Sequence, residues 1–432
     1  MVRVRAGLTA LVTVAAVAAA GCTANGGNDA PTPAAATATT AHHHTTTPTA
    51  LAPDATPREV RGRFEQLLGQ HALLAMRLAR SEVDRTPDLQ QVVQSSQAAN
   101  TDALHQAVGV TFDGAQADRF QQLWKDYTDD LAAYAAGTAT GNGAGTQEAR
   151  TALLESCRDW GAWLDSASGG RVQAAEATRS AQARVTELMD QADAYAAKDY
   201  RRAYKLERDS YERTYEAGTT LAKASLPAKE AAGLDAAPQQ LRSAFAMLLG
   251  EHMELVVDAQ RATFAGSPEF QAAATQLNAN TATLTKAMAG IVGPQKAAEF
   301  QRAWANHVEG LMAYTTAAAD NDEAAKTVAK ENLDGFAERL ALFFSDVVRN
   351  VLTTEPLTEA ITAHDTHLID QVDAYAAKDY TRAQQSQDEG YQQMVGVANV
   401  LVDAIQKVMA EAMPAGGSKT GGGGTAGHLD HP

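Results

Sequence analysis

The residues best able to do chemistry in this chain are its histidines. There are eleven, and five lie near the ends: His42, His43 and His44 in a Thr-rich stretch, His428 and His431 in a Gly-rich one. Polar tails of this kind bind transition metals loosely and need no metal to justify a histidine. Several of the others fall where an apolar residue is expected. Leu67, His71, Leu74 and Leu78 follow four-three-four spacing, as do Leu248, His252, Leu255 and Ala259, while Trp304, His307, Leu311 and Tyr314 follow three-four-three. These are single helix faces, so His252 and His307 point into a bundle. A neutral imidazole there requires a hydrogen-bond partner or a metal. His364, His367 and Asp370, three and three apart, spread over about a third of a helix circumference and aim two side chains at one ion. The candidate ligands are therefore His252, His307, His364 and His367, for zinc or copper.

No other chemistry is spelled out. Glu-x-x-His pairs, Cys-x-x-Cys, His-Glu-x-x-His, Gly-x-Ser-x-Gly and phosphate- or dinucleotide-binding loops are all missing, so no catalytic residue is assigned and an enzyme is not expected. Cys157 lies on a Leu153, Cys157, Trp160, Leu164 stripe and reads as a buried core thiol.

The elements that hold these residues come in two copies. The octapeptide DAYAAKDY occurs at Asp193–Tyr200 and at Asp373–Tyr380. Leu67-Leu68-Gly69-Gln70-His71 recurs as Leu248-Leu249-Gly250-Glu251-His252, and Thr86-Pro87 as Ser267-Pro268, at an offset of 181. Asn100-Thr101 recurs as Asn280-Thr281, and Phe120, Trp124 and Tyr134 as Phe300, Trp304 and Tyr314, at 180; one residue of slip inside the second helix reconciles the two values. A nearly constant offset over so long a span implies a tandem duplication. Apolar residues three and four apart, with no alternating runs, imply an all-α fold of two homologous helical-bundle repeats, about six helices each. Helix starts are marked by Thr56-Pro57 with Glu59 placed for a capping box, and by Thr86-Pro87 and Ser267-Pro268. In the octapeptide the Lys ends one helix and Asp199 or Asp379 caps the next, forming a tight helical hairpin. The expected boundaries are repeat 1 at 57–226, a linker at 227–237, repeat 2 at 238–413 and a disordered tail at 414–432.

Repeat 1 is a comparison within the same chain. It has Tyr127 where repeat 2 has His307, and Arg184, Glu187 and Asp190 where repeat 2 has His364, His367 and Asp370. A metal site would belong to repeat 2 alone, leaving the shared His71 and His252 a structural role in the core. The Leu-Leu-Gly-x-His start, the Asn-Thr pair, the Trp-x-x-His and Tyr, and the Tyr-x-x-Lys-Asp-Tyr corner together resemble a group of exported helical repeat proteins of Gram-positive bacteria. Some of these carry an amine-oxidase label. Copper amine oxidases form their quinone from the Tyr of an Asn-Tyr segment, and no Asn-Tyr pair occurs here, so the resemblance implies the fold and not that activity.

The N-terminus gives an address. Arg3 and Arg5, the apolar run Leu8 to Ala20 and then Ala19-Ala20-Gly21-Cys22 resemble a bacterial lipobox, with residues 1–21 as signal peptide and Cys22 as the lipidated residue. Residues 22–56 read as a disordered stalk with a reach of roughly 30 Å. Losing Arg3 and Arg5 takes the formal charge from −16 to −18, which excludes a general affinity for nucleic acid and leaves membrane attachment to the lipid. The expected protein is a lipid-anchored module on the outer face of the cell membrane, binding or structural in role, with a protein, glycan or small ligand as partner and no cofactor. The alternative is an extracytoplasmic zinc- or copper-binding protein.

Overall fold

The computed structural model describes residues 50–412, so Cys22, the signal segment, most of the stalk and the tail lie outside the described residues. The fold is all-α. Repeat 1 contributes α1 (Pro57–Val83), α2 (Pro87–Thr111), α3 (Gly114–Thr140), α4 (Gly143–Ala167), α5 (Ala174–Ala196) and α6 (Tyr200–Ser225). After the short α7 (Ala228–Gly233) come α8 (Ala237–Ala265), α9 (Phe270–Val292), α10 (Pro294–Asp320), α11 (Glu323–Val347), α12 (Thr354–Ala376) and α13 (Tyr380–Ala412). The described residues thus hold thirteen helices against an expected twelve, the extra one being a helical turn inside the linker. None of them is long and apolar enough to cross a membrane.

Local chemistry sets most of the boundaries. Thr56 and Glu59 form the reciprocal capping box. Thr86 departs from expectation: its hydroxyl donates back to the Ser81 carbonyl and caps nothing, with Pro87 alone marking the start of α2. Helix α9 begins two residues beyond Pro268, at Phe270, and the slip between the repeats is absorbed there. Folded chain also begins before Pro57. Leu51 is buried, and its backbone exchanges two hydrogen bonds with the Gln106 amide on α2.

Both copies of the octapeptide close the same corner. Lys198 and Lys378 take φ of 60° and 61°, ending α5 and α12, and Asp199 and Asp379 accept from the amides of Arg202 and Arg382. The leading Asp of each copy accepts from a tyrosine two helices earlier, Tyr134 to Asp193 at 2.9 Å and Tyr314 to Asp373 at 2.8 Å. A folding role therefore accounts for the repetition.

The first helix of each repeat is its axis. Every residue from Leu67 to Ser81 in α1 and from Leu248 to Gln260 in α8 is buried. A helix covered on all sides must be surrounded by other helices, and here α6, α8 and α13 bring the two halves into one continuous interior. Tyr211 of α6 and Tyr391 of α13 occupy equivalent positions, and their hydroxyls stand 3.2 Å apart. Each reaches the other half's first helix: Tyr391 donates to the Gln66 carbonyl and Tyr211 to that of Met247, one turn before Gly69 and Gly250 respectively. The glycines make this possible. A Cβ at Gly69 would lie 2.7 Å from the Tyr391 hydroxyl, and one at Gly250 would lie 2.8 Å from that of Tyr211. Gly250→Ala is expected to lower unfolding free energy by about 1–3 kcal/mol through overpacking, measured by urea denaturation. A change of under about 0.5 kcal/mol would mean that the tyrosines move aside freely.

Charged residues line the same seam. Arg77 of α1 pairs with Glu254 of α8, while Arg80 pairs with Glu207 of α6 and, at 2.7 Å, with Asp258 of α8, all of them buried. Gln387 of α13 donates to Glu254 at 2.6 Å and accepts from Arg261 at 2.9 Å.

Candidate metal centre

Three helices of repeat 2 each deliver one imidazole to a common point. His252 comes from the buried run of α8, His307 from the apolar face of α10 and His364 from α12. Ring centroids are 5.8 Å apart for His252–His307, 5.8 Å for His252–His364 and 5.5 Å for His307–His364. One nitrogen from each ring lies within 4.8 Å of the other two. Exposure is 0%, 1% and 3% respectively, so the triangle is sealed from bulk water. Its surroundings are apolar. Phe336 stacks on His307 at 4.4 Å, Trp304 lies 4.7 Å from His252, and Phe245, Phe300 and Met394 line the adjoining cavity.

None of the six ring nitrogens has a hydrogen-bond partner. Orphaned polar atoms at this depth each destabilise by about 1–3 kcal/mol, and native interiors keep them few. Asp365 adds two more: both carboxylate oxygens are buried and unpartnered, although Oδ1 lies 3.3 Å from His307 Nδ1. Burial pushes the Asp365 carboxyl well above the ordinary range, with Asp334 adding to the rise. The same burial pushes His252 down to about 3 and holds His307 and His364 well below 6.5, each further lowered by its histidine neighbours. The rings are consequently neutral, the form that binds metal.

Two sequence expectations are corrected here. His367 is on α12 with His364 but does not join the triangle; its Nδ1 faces Glu389 of α13 at 4.0 Å. Asp370 is drawn away to Arg382 at 3.4 Å. The satisfied polar contact expected of His252 is missing, since neither of its ring nitrogens has a hydrogen-bond partner. Asp365 was missed. Its sequence signal is a carboxylate at the second place of an Ile361, Asp365, Leu368, Val372 stripe, where repeat 1 has the buried Val185.

Repeat 1 shows what replaces the triangle. His71 Nε2 meets the Tyr127 hydroxyl at 3.3 Å, the polar core contact expected of it, and Trp124 lies 4.6 Å from its ring. Arg184 and Cys157 line the same cavity, and burial raises the Cys157 thiol to about 11 despite nearby Arg184 and Arg158. Burial, then the Arg184 charge, lowers His71 to about 3. In the unfolded chain it titrates near 6.5, so below that pH the unfolded state binds a proton that the folded state refuses. Its contribution to stability is present above pH 6.5 and is lost as pH falls toward 3. A His71→Phe variant should show a stability–pH slope shallower than the parent's by about 1.4 kcal/mol per pH unit between pH 6 and 5, read from urea unfolding. Equal slopes would show that His71 is protonated in the folded protein.

No protein-family model, curated protein or solved structure matches this chain, and the site is read from its own geometry.

Proposed function

We propose that this chain is a metal-binding protein of the extracytoplasmic face, tethered through Cys22, that holds one zinc or copper ion between His252, His307 and His364. The observation that carries this reading is the convergence of three buried, neutral imidazoles with no other partner for any ring nitrogen. Nitrogen ligands at about 2.0–2.1 Å from zinc require N···N separations near 3.3 Å, so shifts of about 1 Å per ring close the triangle. A single water at the same point satisfies at most three of the six nitrogens.

Asp365 completes the arrangement. A divalent cation opposes the burial that raises its carboxyl, and the ionised group then orients His307 through Nδ1. Imidazole suits both zinc and copper. A sealed apolar pocket fits retention of an ion better than turnover of a substrate. The broader reading, a non-enzymatic binding module of the envelope, is the frame in which this ion sits.

The test uses the full chain stripped with a chelator and titrated separately with zinc and copper(II), with bound metal measured after dialysis. One tight equivalent is expected in the parent and in His367→Ala. It should be absent from His252→Ala, His307→Ala and His364→Ala. Tail histidines contribute equally to all five proteins, so an unchanged number of tight equivalents in the three variants would end this reading.

A further inference from the structure

The cavity of repeat 1 stands where the imidazole triangle stands in repeat 2, and its lining has changed character. Ser156, Arg184 and Thr214 occupy the places of Phe336, His364 and Met394. Two apolar groups have become hydroxyls and one imidazole has become a permanent cation. The cavity offers about 40 Å³ of accessible space, room for more than one ordered water.

The polar groups facing this space are only partly answered: the Ser156 hydroxyl donates to Asp130 at 3.5 Å, but others lack partners. Among the described residues no carboxylate lies within ion-pair distance of Arg184, and Glu187, its neighbour one turn on, is held by Arg213 at 2.8 Å. The one side-chain hydrogen bond Arg184 makes is to the Ser180 hydroxyl, at 3.3 Å. Thr214 Oγ1 and His71 Nδ1 are buried and unpartnered, and both residues are more than nine-tenths buried. The Tyr127 hydroxyl lies beside His71. Trp124 and Trp160 supply aromatic walls, with Leu68 and Val185 between them.

We propose that this cavity binds a small organic monocarboxylate with an apolar body, the carboxylate on Arg184, Thr214 and Tyr127 and the body against Trp124 and Trp160. A guanidinium and a carboxylate match charge for charge in a two-point contact. A phosphate dianion or a dicarboxylate would bring a second charge with no partner, which an apolar cavity penalises strongly. An uncharged analogue would leave Arg184 unanswered. The site shares no residue with the metal centre, so either can fail without the other.

Benzoate is a suitable probe, titrated calorimetrically into the chelator-treated full chain while tryptophan fluorescence reports on Trp124 and Trp160. Benzamide and inorganic phosphate serve as counter-probes. Benzoate should bind at least about tenfold tighter than either. Arg184→Gln should weaken it by about tenfold or more, Arg184→Lys by less, and His307→Ala not at all. Thr214→Val, close to isosteric, provides a second variant that keeps the cavity's shape and should weaken benzoate by a few-fold; circular dichroism establishes that each variant is folded. No benzoate binding by about 10 mM, equal affinity for benzamide, a preference for phosphate, or full affinity in both folded Arg184→Gln and Thr214→Val would each overturn the assignment.

Discussion

Methionine in place of Arg80 lowers the free energy of unfolding by about 3–5 kcal/mol, the expected effect of leaving buried carboxylates without their cation. Arg80 answers both Glu207 and Asp258, and its guanidinium lies 4.4 Å from the centre of the Tyr204 ring. Arg80, Glu207 and Asp258 are all at least nine-tenths buried, so solvent cannot take over the role. Burial already pushes the Glu207 carboxyl well above the ordinary range against the pull of Arg80. The loss belongs mainly to the stranded carboxylates. Adding Glu207→Leu and Asp258→Leu to the Arg80→Met background should therefore recover most of it, a strongly non-additive result. Urea unfolding of the single and triple variants checks both statements. A single variant within about 1 kcal/mol of the parent would show that water reaches the seam.

Replacing His252, His307 and His364 together by leucine has the opposite sign in the metal-free protein. Removing six unpartnered nitrogens from an apolar pocket should raise unfolding free energy by about 2–4 kcal/mol, even after some overpacking. Zinc at about a hundred times its dissociation constant should stabilise the parent by about 2.7 kcal/mol and leave the triple variant unmoved. Interior residues that weaken the empty fold are the mark of groups retained for a task. A metal-free triple variant several kcal/mol less stable than the parent would instead mean that the imidazoles are structural, and the metal reading would lose its support.

Much of this was legible in the sequence because it depends on spacing along single helices. The offsets of 180 and 181, the Thr56 capping box and the octapeptide corner are local, and the structure realises them almost residue for residue. So is the inward direction of His252 and His307, each one element of an apolar stripe. What escaped depends on how a helix is rotated against its neighbours. His364 and His367 differ by about 60° around α12, and only the position of α8 and α10 decides between them. Asp365 was within reach of the sequence, being the one carboxylate on a stripe with Ile361, Leu368 and Val372. Leu51 docks onto Gln106 across 55 residues, which no local pattern announces. The seam was invisible because Arg77 and Arg80 look like solvated charges until α6, α8 and α13 close over them. Whether the repeats form one interior or two beads was settled by Tyr211, Tyr391 and the two glycines that admit them.

The meeting of Tyr211 and Tyr391 is the contact made on the axis of an isologous homodimer, where one surface greets its own copy. In such an assembly every substitution appears twice, and a ligand set gained by one subunit is gained by both. Two like sequences within one chain are free of that constraint. Here two like stretches of one sequence carry three imidazoles on one side and a guanidinium with two hydroxyls on the other, two unlike chemistries in a single chain.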